Sequence, residues 1–202
     1  MYKIRGFKIR FRKREILKIL KYNSSKNTSI SADLENLMQT QMEKAYELIF
    51  PSVIYSTFFI KNSEITETVK NEITLGSSKI TKLITESYAF TLIAATIGSK
   101  LEEEVDRLKQ KDINKALVLD AIGSEAVEQS ANFVGGILRE EAAKNECYIN
   151  MRFSPGYGDW PVEASWKILK FIDMHRIDIT ISKDGILIPR KSITGITTWI
   201  PE

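Results

Sequence analysis

Residues 152–161 read RFSPGYGDWP and interrupt a chain that otherwise shows helical and extended patterns. Two glycines and two prolines among these ten residues predict an irregular backbone, because neither type favours the interior of a helix or strand. The same segment carries three aromatic rings and one guanidinium group. Such a composition is typical of a loop pinned by aromatic packing and equally of a ligand-binding loop, and the residues alone leave both open.

Several residues of this segment have chemistry suited to a ligand. Arg152 presents a planar fork that fits a carboxylate or a phosphate. Gly156 lacks a side chain where a ligand would approach closely, and Tyr157 can stack on a heterocycle or donate a hydrogen bond. Asp159 precedes a Pro-led helix and would serve equally well as its N-cap.

A buried strand and two helices are predicted upstream of the loop. Residues 88–97, YAFTLIAATI, are uncharged and partly β-branched, which indicates a buried strand. An amphipathic helix is predicted over residues 101–110, and a longer one over residues 114–145. Small residues that permit close approach of a backbone or ligand recur along the longer helix: Ala116, Ala121, Gly123, Ala126, Ser130, Ala131, Gly135 and Gly136.

A helix is predicted directly after the loop, over residues 162–174. Its expected inward face holds four large apolar residues: Val162, Trp166, Leu169 and Phe171.

The chain then becomes extended to its end. Residues 177–181 and 186–188 form a predicted hairpin, because Asp184-Gly185 between them is a strong turn signal. A final strand is predicted over residues 192–200.

The N-terminal half also mixes helices with strands. Ser31 is a suitable N-cap for a helix with Asp33 and Glu35 in its first turn, and Pro51 stops that helix. The other predicted elements are short: strands over residues 53–60 and 72–75, and a helix that begins at Ser77 or Ser78 and runs to about Glu86.

This order of elements lacks the regular alternation of βαβ units and therefore indicates an α+β fold. We expect a twisted antiparallel sheet with helices packed on it. Residues 1–202 are expected to form a single unit. Within it, residues 1–30 supply a basic strand, a short helix and a linker, and residues 31–202 form the core with the loop at 152–161.

Composition excludes several classes of protein. No apolar run reaches the ~18 residues that span a bilayer, and the basic N-terminus lacks the apolar segment of a secretory signal. Cys147 is the single cysteine and His175 the single histidine, so an internal disulfide is excluded and a Cys/His zinc site is implausible. We expect a cytoplasmic protein without a metal site or a nucleophilic catalytic set.

Positive charge is concentrated at the N-terminus. Residues 1–21 carry nine Lys or Arg side chains against one acid, Glu15, although the whole chain has a net charge of only +3. Residues 7–12 alternate apolar with cationic side chains, which predicts a strand, and residues 13–22 predict a short amphipathic helix. Such charge suits nucleic acid or a phosphate-bearing partner, but it also protects a strand edge. No nucleic-acid-binding signature accompanies it in the sequence, so the strand edge is favoured.

The loop resembles the RxxPGYxxxP motif of the activation domain of cobalamin-dependent methionine synthase. Two further blocks resemble that family, in the family's order. ALVLDAIGSEAVE at residues 116–128 is similar to the helix that precedes the motif, and PRKSITGI at residues 189–196 is similar to its closing P-x-x-S-V-S-G strand. The N-terminal half matches loosely, through residues 16–22 and 88–107.

The resemblance implies an activation-domain fold and a site for S-adenosylmethionine. Arg152 falls where the family holds the carboxylate of this ligand. The backbone of Ser154 and Gly156, and the ring of Tyr157, fall where the loop contacts the adenosine portion.

Acidic residues are also implied on the ligand side. Glu125 and Glu146 match such positions, which suits a ligand that carries a sulfonium and an α-ammonium group. By residue type alone, both would be interpreted as solvated glutamates. Thr197 stands where the long enzymes have an aromatic residue, so one wall of the site is expected to differ.

The resemblance further implies a supporting role in reductive methylation, which restores methylcobalamin from inactive cob(II)alamin. The domain would aim the methyl group of S-adenosylmethionine at cobalamin presented by a partner protein, and no residue of this chain is expected to be catalytic. The expected partners are cobalamin-binding modules of methionine synthase, supplied as a separate chain, and a flavodoxin-like electron donor.

Two other functions stay open. One is an activator module of a different corrinoid methyltransferase. The other is a nucleic-acid or assembly protein that uses the basic N-terminal segment, for which steep salt-dependent binding would be diagnostic.

Overall fold

The structure is a computed structural model that describes residues 1–22, 30–60 and 64–202, with side chains in the last range described from residue 67. Within these residues, five strands form one antiparallel sheet in the order β1-β2-β3-β7-β4, and β5 pairs with β6. The strands are β1 (Tyr2–Arg5), β2 (Ser52–Phe59), β3 (Ala89–Thr96), β4 (Cys147–Ile149), β5 (Thr180–Ile181), β6 (Leu187–Ile188) and β7 (Ser192–Pro201). The expected α+β class with an antiparallel sheet is confirmed.

Helices lie between and after these strands. They are α1 (Lys13–Ile19), α2 (Ala32–Leu48), α3 (Glu64–Thr74), α4 (Ser78–Thr85), α5 (Lys100–Lys109), α6 (Ile113–Ala143) and α7 (Ala164–Ile172), with a 3₁₀ helix at Met174–Ile177. Ser31 and Ser77 cap α2 and α4 as the sequence predicted, since each side chain accepts a hydrogen bond from a backbone N–H of the first turn. Most of the expected linker, residues 23–29, lies outside the described residues.

The central strand β3 is buried along its whole length because helices cover both of its faces. Phe90, Leu92 and Ala94 pack in one cluster with residues of α3, α4 and α7. Ile93 and Ala95 point to the opposite face and pack in a second cluster with residues of α6. A strand with two covered faces needs apolar residues at every position, which explains why its sequence shows no alternation of polar and apolar residues.

Two predicted strands are wrong. Residues 72–75 belong mostly to the end of α3, where Val69 and Ile73 are buried one helical turn apart. A run of four residues is too short to distinguish the helical repeat of apolar residues from the alternation of a strand. Residues 7–12 form no strand either, because Tyr2–Arg5 already pairs with β2 at this edge. The predicted alternation of burial persists, since Ile9 is buried and Phe7 stacks on Phe133 of α6 at 4.2 Å between ring centroids.

The predicted inward face of the helix after the loop is also wrong in part. Val162 and Trp166 are exposed, whereas Leu169 and Phe171 are partly buried. The buried residues of α7 are the small Ala164 and Ser165, together with Ile168 and Ile172. Small side chains permit a close approach to β7, where the hydroxyl oxygens of Ser165 and Thr194 are 3.3 Å apart.

Among the described residues, the helices are too short or too polar to cross a membrane.

Candidate functional site

The loop at residues 152–161 is attached to β7 by its backbone. The N–H of Phe153 donates to the Ile196 carbonyl and the N–H of Ile196 donates to the Phe153 carbonyl, both at 2.8 Å. This close crossing requires a residue without a side chain at position 195. A Cβ atom built on Gly195 would lie 2.5 Å from the Phe153 carbonyl oxygen and 3.0 Å from Cγ of Arg152. Gly195 therefore lets the chain that carries Arg152 rest directly on the sheet.

The other end of the loop is attached to α3 and α4. The indole of Trp160 is 1% exposed, and its Nε1 donates to the Ile73 carbonyl at 2.7 Å. Asp159 accepts hydrogen bonds from the Ser77 hydroxyl at 2.7 Å and from the N–H groups of Ser78 and Lys79. These bonds, with that of the Ser77 hydroxyl the strongest, lower the pKa of Asp159 to about 2. The expectation that Asp159 caps the helix that follows it is wrong, because its carboxylate binds the first amides of α4, whose N-cap residue is Ser77.

The middle of the loop is a compact turn. Gly156 has a φ of +90°, which favours glycine, and its N–H donates to the Trp160 carbonyl at 2.8 Å. The N–H of Tyr157 donates to the Ser154 carbonyl at 3.3 Å. The Nζ of Lys79 lies 4.4 Å from the ring centroid of Phe153. The amides of Gly156 and Tyr157 are thus used within the loop itself.

Arg152 is held on one side and unpaired on the other. Its Nη2 donates to Oε2 of Glu128 on α6 at 2.7 Å, and its side chain is 20% exposed. Its Nε is buried and has no hydrogen-bond partner within the part of the chain that the structure describes. A buried donor without a partner is costly, so this edge of the guanidinium is suited to an acceptor from a ligand.

A cavity of about 280 Å³ opens beside Arg152. Its walls come from α6, β3, β7 and the segment that links β4 to the loop. The lining residues are Ile93, Ala131, Asn132, Gly135, Arg139, Ile149, Asn150, Met151, Arg152 and Thr197. We refer to it as the loop cavity. Its volume is close to the lower end of the ~300–1,000 Å³ usual for small-molecule sites.

The wall contributed by α6 was not predicted as a site. Asn132, Gly135 and Arg139 lie at helical spacing on one face and line the cavity, and Glu128 lies one turn before Asn132. A signal for this face existed in the sequence, since the small residues Ala131 and Gly135 mark where a ligand can approach the helix. Which polar neighbours share that face depends on the rotation of the helix against the sheet.

Thr197 of β7 also lines the cavity. Its hydroxyl donates to the Asn150 carbonyl at 2.7 Å, so it holds the segment before Arg152 instead of facing the cavity as a free donor.

The three sequence blocks that suggested the family meet in space. Arg152 of the loop contacts both Glu128 of the first block and Gly195 of the last. Lys191 of the last block donates to the Ser124 hydroxyl of the first at 2.8 Å and pairs with a carboxylate oxygen of Asp120 at 2.9 Å. Their order along the sequence therefore corresponds to one contiguous region.

The predicted ligand residues do not all lie at the loop cavity. Arg152 lines it, Ser154 is partly buried in the turn, and Gly156 and Tyr157 are exposed, with Tyr157 at 74%. Glu146 is exposed in the turn between α6 and β4, where its carbonyl accepts from the N–H of Glu202.

Glu125 is engaged elsewhere. It is 2% exposed, and its carboxylate accepts from Nε of Arg12 at 2.9 Å and from Gln129 at 2.7 Å. Its hydrogen bond is the main cause that raises the pKa of Arg12. The roles of Glu125 and Glu146 toward a ligand stay predictions.

In the described ranges, no group of three or more His, Cys, Asp or Glu residues is arranged to hold a metal ion.

No protein-family model and no curated protein matches this sequence. Among solved structures, the chain is similar to the crystal structure of the MetH reactivation domain bound to AdoHcy, with a TM-score of 0.66. The superposition covers 94% of this chain and 75% of that chain, at 13% sequence identity. The fold is that of the MetH reactivation domain. At this identity the likeness establishes the fold alone, and the crystallised domain has AdoHcy as its ligand.

Proposed function

We propose that this chain binds S-adenosylmethionine in the loop cavity and supports reactivation of a cobalamin-dependent methyltransferase of the methionine synthase type. The observation that carries the proposal is Arg152 itself, which lines that cavity and whose buried Nε has no hydrogen-bond partner among the described residues. A ligand carboxylate would satisfy this donor. The likeness to a reactivation domain crystallised with AdoHcy supports the same ligand class.

The charges around Arg152 suit both ends of an amino acid. The guanidinium offers donors to the carboxylate, and Glu128, whose Oε2 lies 2.7 Å from Nη2, places a negative charge nearby for the α-ammonium and sulfonium groups. The open face of α6 at Gly135 leaves room for the remainder of the ligand.

The contribution of the chain is to position the ligand. The bound ligand would supply the methyl group, and the neutral thioether AdoHcy would be the leaving group. Arg152 would fix the amino-acid end, while the loop attachments at Phe153, Asp159 and Trp160 keep Arg152 in place. Such fixing turns a diffusive encounter with cobalamin into an oriented one and needs no general base.

Calorimetry with two ligands tests the clamp. AdoHcy carries the amino-acid group, whereas 5′-methylthioadenosine lacks it. Replacing Arg152 with Ala should weaken the binding of AdoHcy by about tenfold or more, because a charge-assisted hydrogen bond contributes ~1.5–3 kcal/mol. The affinity for 5′-methylthioadenosine should be unchanged. Arg176→Ala, at an exposed arginine of the 3₁₀ helix, is the matched control.

Two results would contradict the proposal. If neither AdoHcy nor S-adenosylmethionine binds to the wild-type chain, the proposed ligand is wrong. Equal losses for both ligands in Arg152→Ala would mean that Arg152 holds the fold of the site and not the carboxylate.

The partners are proposed on the same basis. A cobalamin-carrying module of a methionine synthase would present the acceptor, and a flavodoxin-like protein would supply the electron. A reactivation assay in which a chemical reductant replaces the flavodoxin-like protein tests the cobalamin module separately from the electron donor. Methyl transfer to cobalamin should then need only this chain, S-adenosylmethionine and the cobalamin module. Transfer to the module of a different corrinoid methyltransferase, and not to that of methionine synthase, would change the acceptor but keep the ligand.

A further inference from the structure

A second cavity, of about 510 Å³, lies at the basic N-terminal segment. Residues 6–10 form one wall, and Tyr46 with residues 49–51 forms the other. We call it the arm cavity. It shares no lining residue with the loop cavity, and its volume is within the ~300–1,000 Å³ of small-molecule sites.

Two aromatic rings line the arm cavity. Tyr46 and Phe50 are each 51% exposed. Both rings also have a neighbour: Tyr46 packs on Phe11 with 4.3 Å between ring centroids, and the Arg5 guanidinium lies 5.3 Å from the centroid of the Phe50 ring. Gly6, with a φ of +67°, brings the N-terminal backbone close to Phe50, since a Cβ there would lie 3.3 Å from the ring. The sequence showed no aromatic platform within the basic segment, because these rings come from the end of α2 and the residues after it.

The charge of this cavity is positive and unbalanced. Lys8 and Arg10 line it, are exposed, and have no ion-pair partner among the described residues. No carboxylate is among its lining residues. Four other cations of the same segment are paired with acids: Arg5 with Asp178, Arg12 with Glu125, Lys13 with Glu35 and Lys18 with Glu15.

We propose that the arm cavity binds a nucleoside phosphate, with the base against Tyr46 and Phe50 and the phosphate between Lys8 and Arg10. Exposed rings stack on any base, and two unpaired cations attract a phosphate. The proposed site is separate from the S-adenosylmethionine site, since the two cavities share no lining residue.

Calorimetry on the full chain tests the proposal with guanosine 5′-monophosphate, guanosine and inorganic phosphate. Saturating AdoHcy is present throughout, so that the loop cavity does not contribute. The nucleotide should bind more tightly than either fragment. The double variant Lys8→Ala/Arg10→Ala should weaken the binding of the nucleotide by about tenfold or more, because charge-assisted hydrogen bonds contribute ~1.5–3 kcal/mol each. Phe50→Ala should weaken the binding of the nucleotide and of guanosine by the same factor.

Matched controls come from the same segment and from another exposed ring. Lys3→Ala/Arg14→Ala removes the same charge from exposed residues outside the cavity, and Tyr148→Ala removes a ring that is 55% exposed on β4. Both should bind the nucleotide as the wild type does, and so should Arg152→Ala.

The proposal is overturned if the wild type does not bind the nucleotide, or if Lys3→Ala/Arg14→Ala weakens it as much as Lys8→Ala/Arg10→Ala. It is also overturned if single-stranded RNA binds far more tightly than the mononucleotide and equally in both double variants. That result would show general attraction to a polyanion. Loss of AdoHcy binding in Arg152→Ala with unchanged nucleotide binding separates this site from the proposed function.

Discussion

The backbone of Phe153 crosses the sheet directly over Gly195, and a Cβ atom at Gly195 would lie 2.5 Å from the Phe153 carbonyl oxygen. Two reciprocal hydrogen bonds between Phe153 and Ile196, both 2.8 Å, keep the loop in that position. Arg152 is placed at the loop cavity by this crossing. The glycine of the last sequence block and the arginine of the loop are therefore parts of one arrangement.

Gly195→Ala should move the loop away from β7. We expect the free energy of unfolding to fall by about 1–3 kcal/mol, as for overpacking in a core, and the affinity for AdoHcy to fall as well. Gly136→Ala is the control, because a Cβ there meets nothing within 4 Å and alanine favours the helix by ~0.5–1 kcal/mol. Urea denaturation and calorimetry measure both effects. Equal results for the two variants would show that the crossing tolerates a methyl group.

The attachment of the loop to α4 should depend on pH. The pKa of Asp159 is lowered to about 2 by its hydrogen bonds, so their stabilisation is complete above the ordinary carboxyl pKa of about 4 and is lost as the pH falls through about 2. Hydrogen exchange at the amides of Ser78 and Lys79 should accelerate in that window. Asp159→Asn should show faster exchange already at neutral pH.

An internal control for this titration is the cap of α2. The Leu34 amide donates to the Ser31 hydroxyl, which does not titrate, so its exchange should follow only the intrinsic pH dependence of an exposed amide. An ordinary titration of the Asp159 carboxyl, near pH 4, would contradict the structure.

Arg12 should contribute to stability more than its exposed neighbours. Arg12→Ala leaves the buried carboxylate of Glu125 without its main partner, and we expect a loss of about 1–3 kcal/mol in the free energy of unfolding. Arg14→Ala, at an exposed residue, should change it by less than about 0.5 kcal/mol. Thermal denaturation of both variants decides this, and equal stabilities would mean that the Arg12–Glu125 pair has no net effect.

The thiol of Cys147 should react slowly in the folded protein. It is 3% exposed between β4 and β7, and burial raises its pKa, so little thiolate is present at pH 8. Ellman's reagent should modify it slowly without denaturant and rapidly in guanidinium chloride. Rapid modification of the native chain would indicate that β4 detaches easily from the sheet.

The sequence predicted the elements whose pattern is long or whose caps are local. The strand at β3, the helices α5 and α6, and the caps at Ser31 and Ser77 need only nearby residues to be recognised. It failed at residues 72–75 and 7–12, where a short run fits more than one period and the neighbouring elements decide the outcome. The inward face of α7 failed similarly, because packing against the sheet sets the rotation of the helix and buries Ala164, Ser165, Ile168 and Ile172.

By itself, the sequence determined the class of the fold and the irregular loop, because hydrophobic periodicity, glycine and proline act locally. Only the tertiary structure decided which groups meet. It paired Arg152 with Glu128 and left Nε unpaired, directed Asp159 to α4, and engaged Glu125 with Arg12. These contacts join residues far apart along the chain, and their partners depend on how α6 and the loop pack against the sheet, which no local pattern encodes.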